Sequence, residues 1–275
     1  MAALPSGGFL WGDRVTGAIR RVNAAGRPVG AVVARVAVST ADLHGLLGLA
    51  RTPDGRIFAA WTDRADRLTV GRVSPRPTRV LWRAPATSRF DVGGHLAVTP
   101  RGQLLLGVGT GVLPAQGGAA GGPTGDLLLL PPDQRPGQAP VVLSTGWNNP
   151  FAFAYTPGGR LWVADNVPGT HGERLARGDL GGRPTHITPL PIGTAPSGVA
   201  AISDSQIVVC GFQSHRLQRY RITPAQRAVA VGAPIARNCW IGVTRLASGR
   251  LAYAGPGATV TLVDPSGANP QTLHL

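Results

Sequence analysis

Lysine is absent from this chain, glutamate occurs once, and there are two cysteines, one methionine and 5% aromatic residues. Each shortage excludes something. Cys210 and Cys239 fit no metal spacing; both sit in apolar, strand-like contexts, so buried thiols are the expectation and a disulfide is the alternative. Long apolar runs are missing as well. The longest uncharged stretches, Gly102 to Gly125 and Pro184 to Ser203, are interrupted by Gly or Pro every few residues, so no membrane span is expected. The start of the chain, Met1-Ala2-Ala3-Leu4-Pro5, has neither a charged region nor an apolar one of the kind that forms a signal peptide.

What is abundant is equally selective. All 27 basic residues are arginine and oppose 13 acids, giving a formal charge of +14. The arginines are scattered, with Arg20-Arg21 the longest run and no basic stripe interleaved with aromatics, so specific nucleic-acid binding is not expected. Weak attraction to polyanions follows from the charge alone. The 39 glycines and 25 prolines make up nearly a quarter of 275 residues. Each would cost a helix interior about 1 to 3 kcal/mol, which excludes a mostly helical protein. Disorder is excluded by a hydrophobic content of 43% gathered in short runs.

Those short runs repeat. A Gly-bearing polar turn followed by a strand recurs as LPSGGFLWG, TPDGRIFAA, TPRGQLLLG, TPGGRLWVA, ISDSQIVVCG and LASGRLAYAG, from Leu4, Thr52, Thr99, Thr156, Ile202 and Leu246. Its last turn residues are Gly7, Gly55, Gly102, Gly159, Ser205 and Gly249, and the period is near 48 residues. A second strand-and-turn phrase follows each copy, and a further apolar strand precedes the last five. This pattern predicts an all-β protein: one six-bladed β-propeller spanning residues 1–275, with about four antiparallel strands per blade. Stacked blades bury both faces of sheets too small to do so alone. The first blade is expected to be incomplete, because Met1 to Ala3 leaves little room for its preceding strand. Either Asn269 to Leu275 closes the ring against blade one, or the natural start lies upstream; the second is favoured.

With the repeat in place, GLLGLARTPDG, GGHLAVTPRGQLLLGVGT, GWNNPFAFAYTPGGRLWVADNVPGTHGE and APSGVA together resemble the glucose/sorbosone dehydrogenase family. The resemblance runs from about Leu4 to Asp264. It implies a six-bladed propeller, typically exported to the periplasm or exterior, that binds pyrroloquinoline quinone with calcium and oxidises a sugar hydroxyl or aldehyde. Such chemistry needs a base, groups to hold the quinone, and oxygen ligands for calcium. Asp91 stands where the family has its catalytic His, and His95 where an Arg is usual. Asn148-Asn149-Pro150 replaces Arg-Asn-Pro, keeping a hydrogen-bonding head and losing the charge. The family's cofactor-contacting Lys has no counterpart in a lysine-free chain, and His215 or Arg216 are the nearest substitutes. The calcium segment maps onto residues 165–173, implying Asp165, Glu173 and the carbonyls of Val167 and Pro168 as ligands. Glu173 is equally well read as the partner of a neighbouring arginine, Arg174 or Arg177.

Other residues are read directly. Trp147 precedes the Asn pair and is placed to stack on a sugar or planar cofactor. The glycines at 107, 109 and 111 imitate part of a dinucleotide loop, but Pro114 and further glycines deny it a following helix, so the segment is a strand end entering a loop. The histidines show no zinc spacing, although His44, His95, His171 and His215 fall at comparable strand ends. Three functions remain open: a quinone-dependent sugar oxidoreductase, a propeller that binds a sugar, another ligand or a partner without redox chemistry, and a calcium-dependent lactonase-like hydrolase.

Overall fold

A computed structural model describes residues 1–85, 87, 90–111, 124–135, 137–167 and 172–275. Among the described residues there are 24 strands and no helix. They form six four-stranded sheets, each a meander of consecutive strands, and so the six-bladed β-propeller expected from the repeat. Blade one is β1 to β4 (Ala2–Ala3, Phe9–Gly12, Ala18–Val22, Pro28–Arg35), and blade two is β5 to β8 (Leu46–Arg51, Ile57–Thr62, Leu68–Ser74, Arg79–Arg83). Blade three is β9 to β12 (Gly93–Val98, Leu104–Val108, Asp126–Leu130, Val141–Thr145). Blade four is β13 to β16 (Ala152–Tyr155, Leu161–Asp165, Arg174–Arg177, Thr185–Pro189). Blade five is β17 to β20 (Pro196–Ser203, Gln206–Gly211, Leu217–Ile222, Ala228–Ala230), and blade six is β21 to β24 (Ile241–Arg245, Leu251–Ala254, Thr259–Val263, Gln271–His274).

The repeated turn has one geometry in five of its six copies. The amide of the turn glycine donates to the carbonyl three residues back, from Gly7 to Leu4, Gly55 to Thr52, Gly102 to Thr99, Gly159 to Thr156 and Gly249 to Leu246, at 2.9 to 3.0 Å. All five glycines have φ between 78° and 93°, the left-handed conformation that ends a three-residue hairpin loop. The sixth copy carries Ser205 and turns differently, since Ser203 pairs directly with Gln206 in a tighter loop.

The chain divides into two compact units: Met1–Ala2, Leu10–Arg21 and Val29–Pro150 form the first, and Ala3–Phe9, Val22–Pro28 and Phe151–Leu275 the second. In the first unit, Phe58, Leu68, Val70 and Leu81 of blade two pack with Leu96, Leu104, Leu106 and Leu128 of blade three. Each such side chain contributes about 1.5 to 3 kcal/mol when fully buried. The opening strands β5 and β9 approach so closely that a Cβ on Gly48 would lie 2.3 Å from the Gly94 carbonyl oxygen. The second unit repeats the arrangement. Trp162 and Leu175 of blade four pack with Val199, Ile207 and Val209 of blade five, and a Cβ on Gly198 would lie 2.6 Å from the backbone of Gly242 in β21. Burial falls along each meander: β6, β10 and β14 are wholly buried, whereas β12, β16 and β24 are largely exposed.

Blade one contains four strands, the first of them only the two residues Ala2–Ala3. Gln271–His274 pairs with β23 as the outer strand of blade six, and a Cβ on Gly26, in the β3–β4 turn of blade one, would lie 2.2 Å from the Leu273 side chain. One expectation needs correction. Cys210 and Cys239 are bonded to each other rather than being separate buried thiols. The bond joins the end of β18 to the segment before β21, across 29 residues.

Gly48→Ala is expected to lower the stability of the folded protein by about 1 to 3 kcal/mol, because backbone rather than a flexible side chain must move aside. An unchanged urea midpoint would contradict the close approach. Reducing the disulfide removes a loop constraint of this length and should cost about 3 kcal/mol, read as a drop in melting temperature that Cys210→Ser with Cys239→Ser reproduces.

Candidate functional site

Three backbone segments of the first unit meet beside the ends of β9, β10 and β12. Asp91 lies two residues before β9 in a left-handed conformation, φ 52°, which Asp tolerates better than most residues. Its carbonyl accepts from the Gly111 amide at 2.9 Å. A Cβ on Gly109 would lie 1.8 Å from the same oxygen, so this member of the glycine triplet is needed for close packing around Asp91. The segment leaves a strand end, as expected, and then wraps the acid.

The Asn pair completes the cluster. Asn149 is buried and donates from Nδ2 to Asp91 Oδ1 at 3.3 Å. The Asn148 carbonyl accepts from the Thr110 amide at 2.7 Å, and its Oδ1 accepts from Thr110 Oγ1 at 3.2 Å. Burial pushes the half-buried Asp91 carboxyl above the usual Asp range, and the Asn149 hydrogen bond offsets part of that rise. Desolvation penalises the carboxylate more than the neutral acid. This group therefore lowers stability as pH rises from the ordinary Asp value through the raised one. Sequence reasoning selected Asp91, Asn148 and Asn149 and missed Thr110, whose signal was its place between two backbone-packing glycines. Trp147 is only 3% exposed and donates from its indole N–H to Ser144 Oγ at 3.0 Å. His95 is half-buried within β9. His44, 1% exposed, places Nδ1 3.1 Å from Asp66 Oδ1 and 3.3 Å from Ser39 Oγ. Because one ring nitrogen meets both groups, this trio is not a catalytic Ser-His-Asp relay.

The remaining candidates belong to the second unit. His215 is exposed, has φ 54°, and stacks on Trp240 with ring centroids 4.8 Å apart and planes 9° from parallel. Phe212 meets the same indole edge-on, and Arg216 is exposed. Asp165 ends β14 fully buried, and Arg174 opposite it on β15 donates to Oδ2 from Nε at 3.0 Å and from a terminal nitrogen at 2.8 Å. Glu173 pairs with neither arginine: Arg177 is bound to Asp179. Instead Glu173 Oε2 accepts from the Thr194 amide at 2.8 Å and Oε1 from the Ala195 amide at 2.7 Å. The chain's one glutamate thus ties blade four to the segment that starts blade five. Val167 is half-buried, while Pro168 and His171 lie outside the described residues. Among the described residues, no three His, Cys, Asp or Glu side chains are grouped to hold a metal ion.

The chain matches no family model and no curated protein. Among solved structures it is similar to the pyrroloquinoline-quinone-bound aldose sugar dehydrogenase of Streptomyces coelicolor, with 21% identity, 98% of this chain and 88% of that one covered, and TM-score 0.70. A protein of Thermus thermophilus described as a putative oxidoreductase (glucose dehydrogenase) is similar at 22% identity, 98% and 94% coverage and TM-score 0.72. A nidogen/laminin complex also matches, at 16% identity, 97% and 92% coverage and TM-score 0.67. At these identities the likeness establishes the fold, which hosts sugar dehydrogenases and a complex of binding proteins alike.

Glu173→Ala strips two buried amides of a charged acceptor and is expected to cost about 2 to 4 kcal/mol. Arg174→Ala, which removes two charged hydrogen bonds from a buried carboxylate, should cost about 3 to 5 kcal/mol. Thermal unfolding of both variants measures this, and melting temperatures equal to the parent's would refute the clamp roles.

Proposed function

We propose that this protein is a sugar-dehydrogenase-like propeller that receives a sugar at the Asp91, Thr110, Asn148 and Asn149 cluster and oxidises it, with Asp91 as the base. The observation that carries this reading is a half-buried carboxyl, raised in pKa and oriented by an amide. A carboxylate at the ordinary value near 4 is a weak base; burial moves it toward the range where proton abstraction from a hydroxyl is easier. The Asn149 amide fixes the direction of Oδ1 and so the approach of the sugar hydroxyl. The Thr110 hydroxyl, which donates to Asn148 Oδ1, can accept from a further sugar hydroxyl.

Pyrroloquinoline quinone, when bound, would supply the hydride acceptor. The donor set suits its carbonyl oxygens; among the described residues of the cluster, hydrogen bonds are what its carboxylates would meet. His215 and Arg216, with Trp240 stacked on the imidazole, form a separate candidate surface within the second unit. Calcium is a poorer fit. Asp165 is committed to a guanidinium and Glu173 to two amides, so no step is routed through the metal. That commitment is the observation favouring a second reading, in which the propeller binds a sugar or another partner without redox chemistry. An exported location is supported by the disulfide, which persists in oxidising compartments.

Reduction of an artificial acceptor with aldoses, after loading with the quinone, tests the first reading. Activity should rise with pH along a limb displaced above the ordinary Asp value, because the carboxylate is the active form, and Asp91→Asn should abolish it. Absence of both quinone binding and activity in the loaded protein would leave the binding reading. Added calcium is expected to leave the melting temperature unchanged.

A further inference from the structure

A cleft of about 610 Å³ lies between blades two and three, within the range of roughly 300 to 1,000 Å³ that small ligands occupy. Outer strand β8 supplies Trp82 and Arg83, blade three supplies Asp126, Leu128 and Val142, and the turn between β11 and β12 supplies Gln138. Asp126 is the unusual member. It opens β11 in a run of leucines, yet is only 7% exposed. The Thr145 side chain stands near its carboxyl, and Oδ1 is buried with no hydrogen-bond partner among the described residues. An acceptor left in that state destabilises the fold, and an arriving O–H or N–H would recover the loss.

The surroundings restrict the donor. Trp82 brings an indole to the wall, Gln138 an amide, and Leu128 and Val142 an apolar surface. Arg83 is already paired with Asp63 at 3.3 Å. An organic ammonium would satisfy Asp126 but must enter past Arg83 into a chain of charge +14. A carbohydrate meets each demand without charge, since its hydroxyls suit Asp126 and Gln138 and the C–H face of its ring suits the indole.

We propose that this inter-blade cleft is a second, carbohydrate-binding site, with Asp126 Oδ1 accepting from a sugar hydroxyl and Trp82 supporting the ring. The site is separate from Asp91 and independent of any oxidation there.

Calorimetric titration of the full chain with glucose and with maltotriose tests the proposal, the first probing for a free sugar and the second for a glycan chain. Saturable binding of either is expected. Read in an Asp91→Asn background, which removes the acid of the other cluster, Asp126→Leu and Trp82→Ala should each weaken it by about tenfold or more. Asp126→Asn serves if the Leu variant fails to fold, because the amide keeps the shape and removes one acceptor. No binding of either sugar in the Asp91→Asn background, or binding there that survives substitution at both Asp126 and Trp82, would overturn the proposal. So would benzylammonium binding more tightly than both sugars. Loss of dehydrogenase chemistry in Asp91→Asn with cleft binding intact separates this site from the proposed function.

Discussion

Close contact between the opening strands of neighbouring blades is the constraint from which the rest of each unit follows. At Gly48 against Gly94 and at Gly198 against Gly242 there is no space for a β-carbon, so backbone meets backbone and the sheets stack face to face. Once stacked, the second strands are shut off from water, as β6, β10 and β14 are. The segments at the strand ends are then free to carry chemistry while the sheets beneath hold them. Asp91, Thr110 and Asn149 are brought together in this way, although 58 residues separate the first from the last.

The fold was readable because its repeat is local. Each blade spells out the same turn, and a turn glycine with positive φ leaves a mark in sequence that needs no knowledge of distant contacts. The exception carries Ser205 in place of the glycine, and its hairpin is tighter. The first strand of blade one is two residues long. So short a pairing carries no alternation to detect.

The site was readable only in part. Asp91 and the Asn pair stood out by position within a resembling motif, whereas the partner of Glu173 could not be inferred, since backbone amides 21 and 22 residues away have no side-chain identity. The disulfide was likewise one of two open alternatives, because pairing depends on how β18 and the segment before β21 are juxtaposed. Asp126 could have been flagged. An acid at the head of four leucines in a strand is the kind of local inconsistency that marks a functional or strained position.

The Cys210–Cys239 bond turns the stretch between them into a covalently closed loop containing β19 and β20. His215 sits just inside that loop and Trp240 just outside it, so the two stacked rings flank the ends that the bond joins. A single backbone cut anywhere between the cysteines would therefore release no fragment, and the rings would remain tethered side by side. Blade five can accept a nick in its outer strands and still present the same aromatic surface.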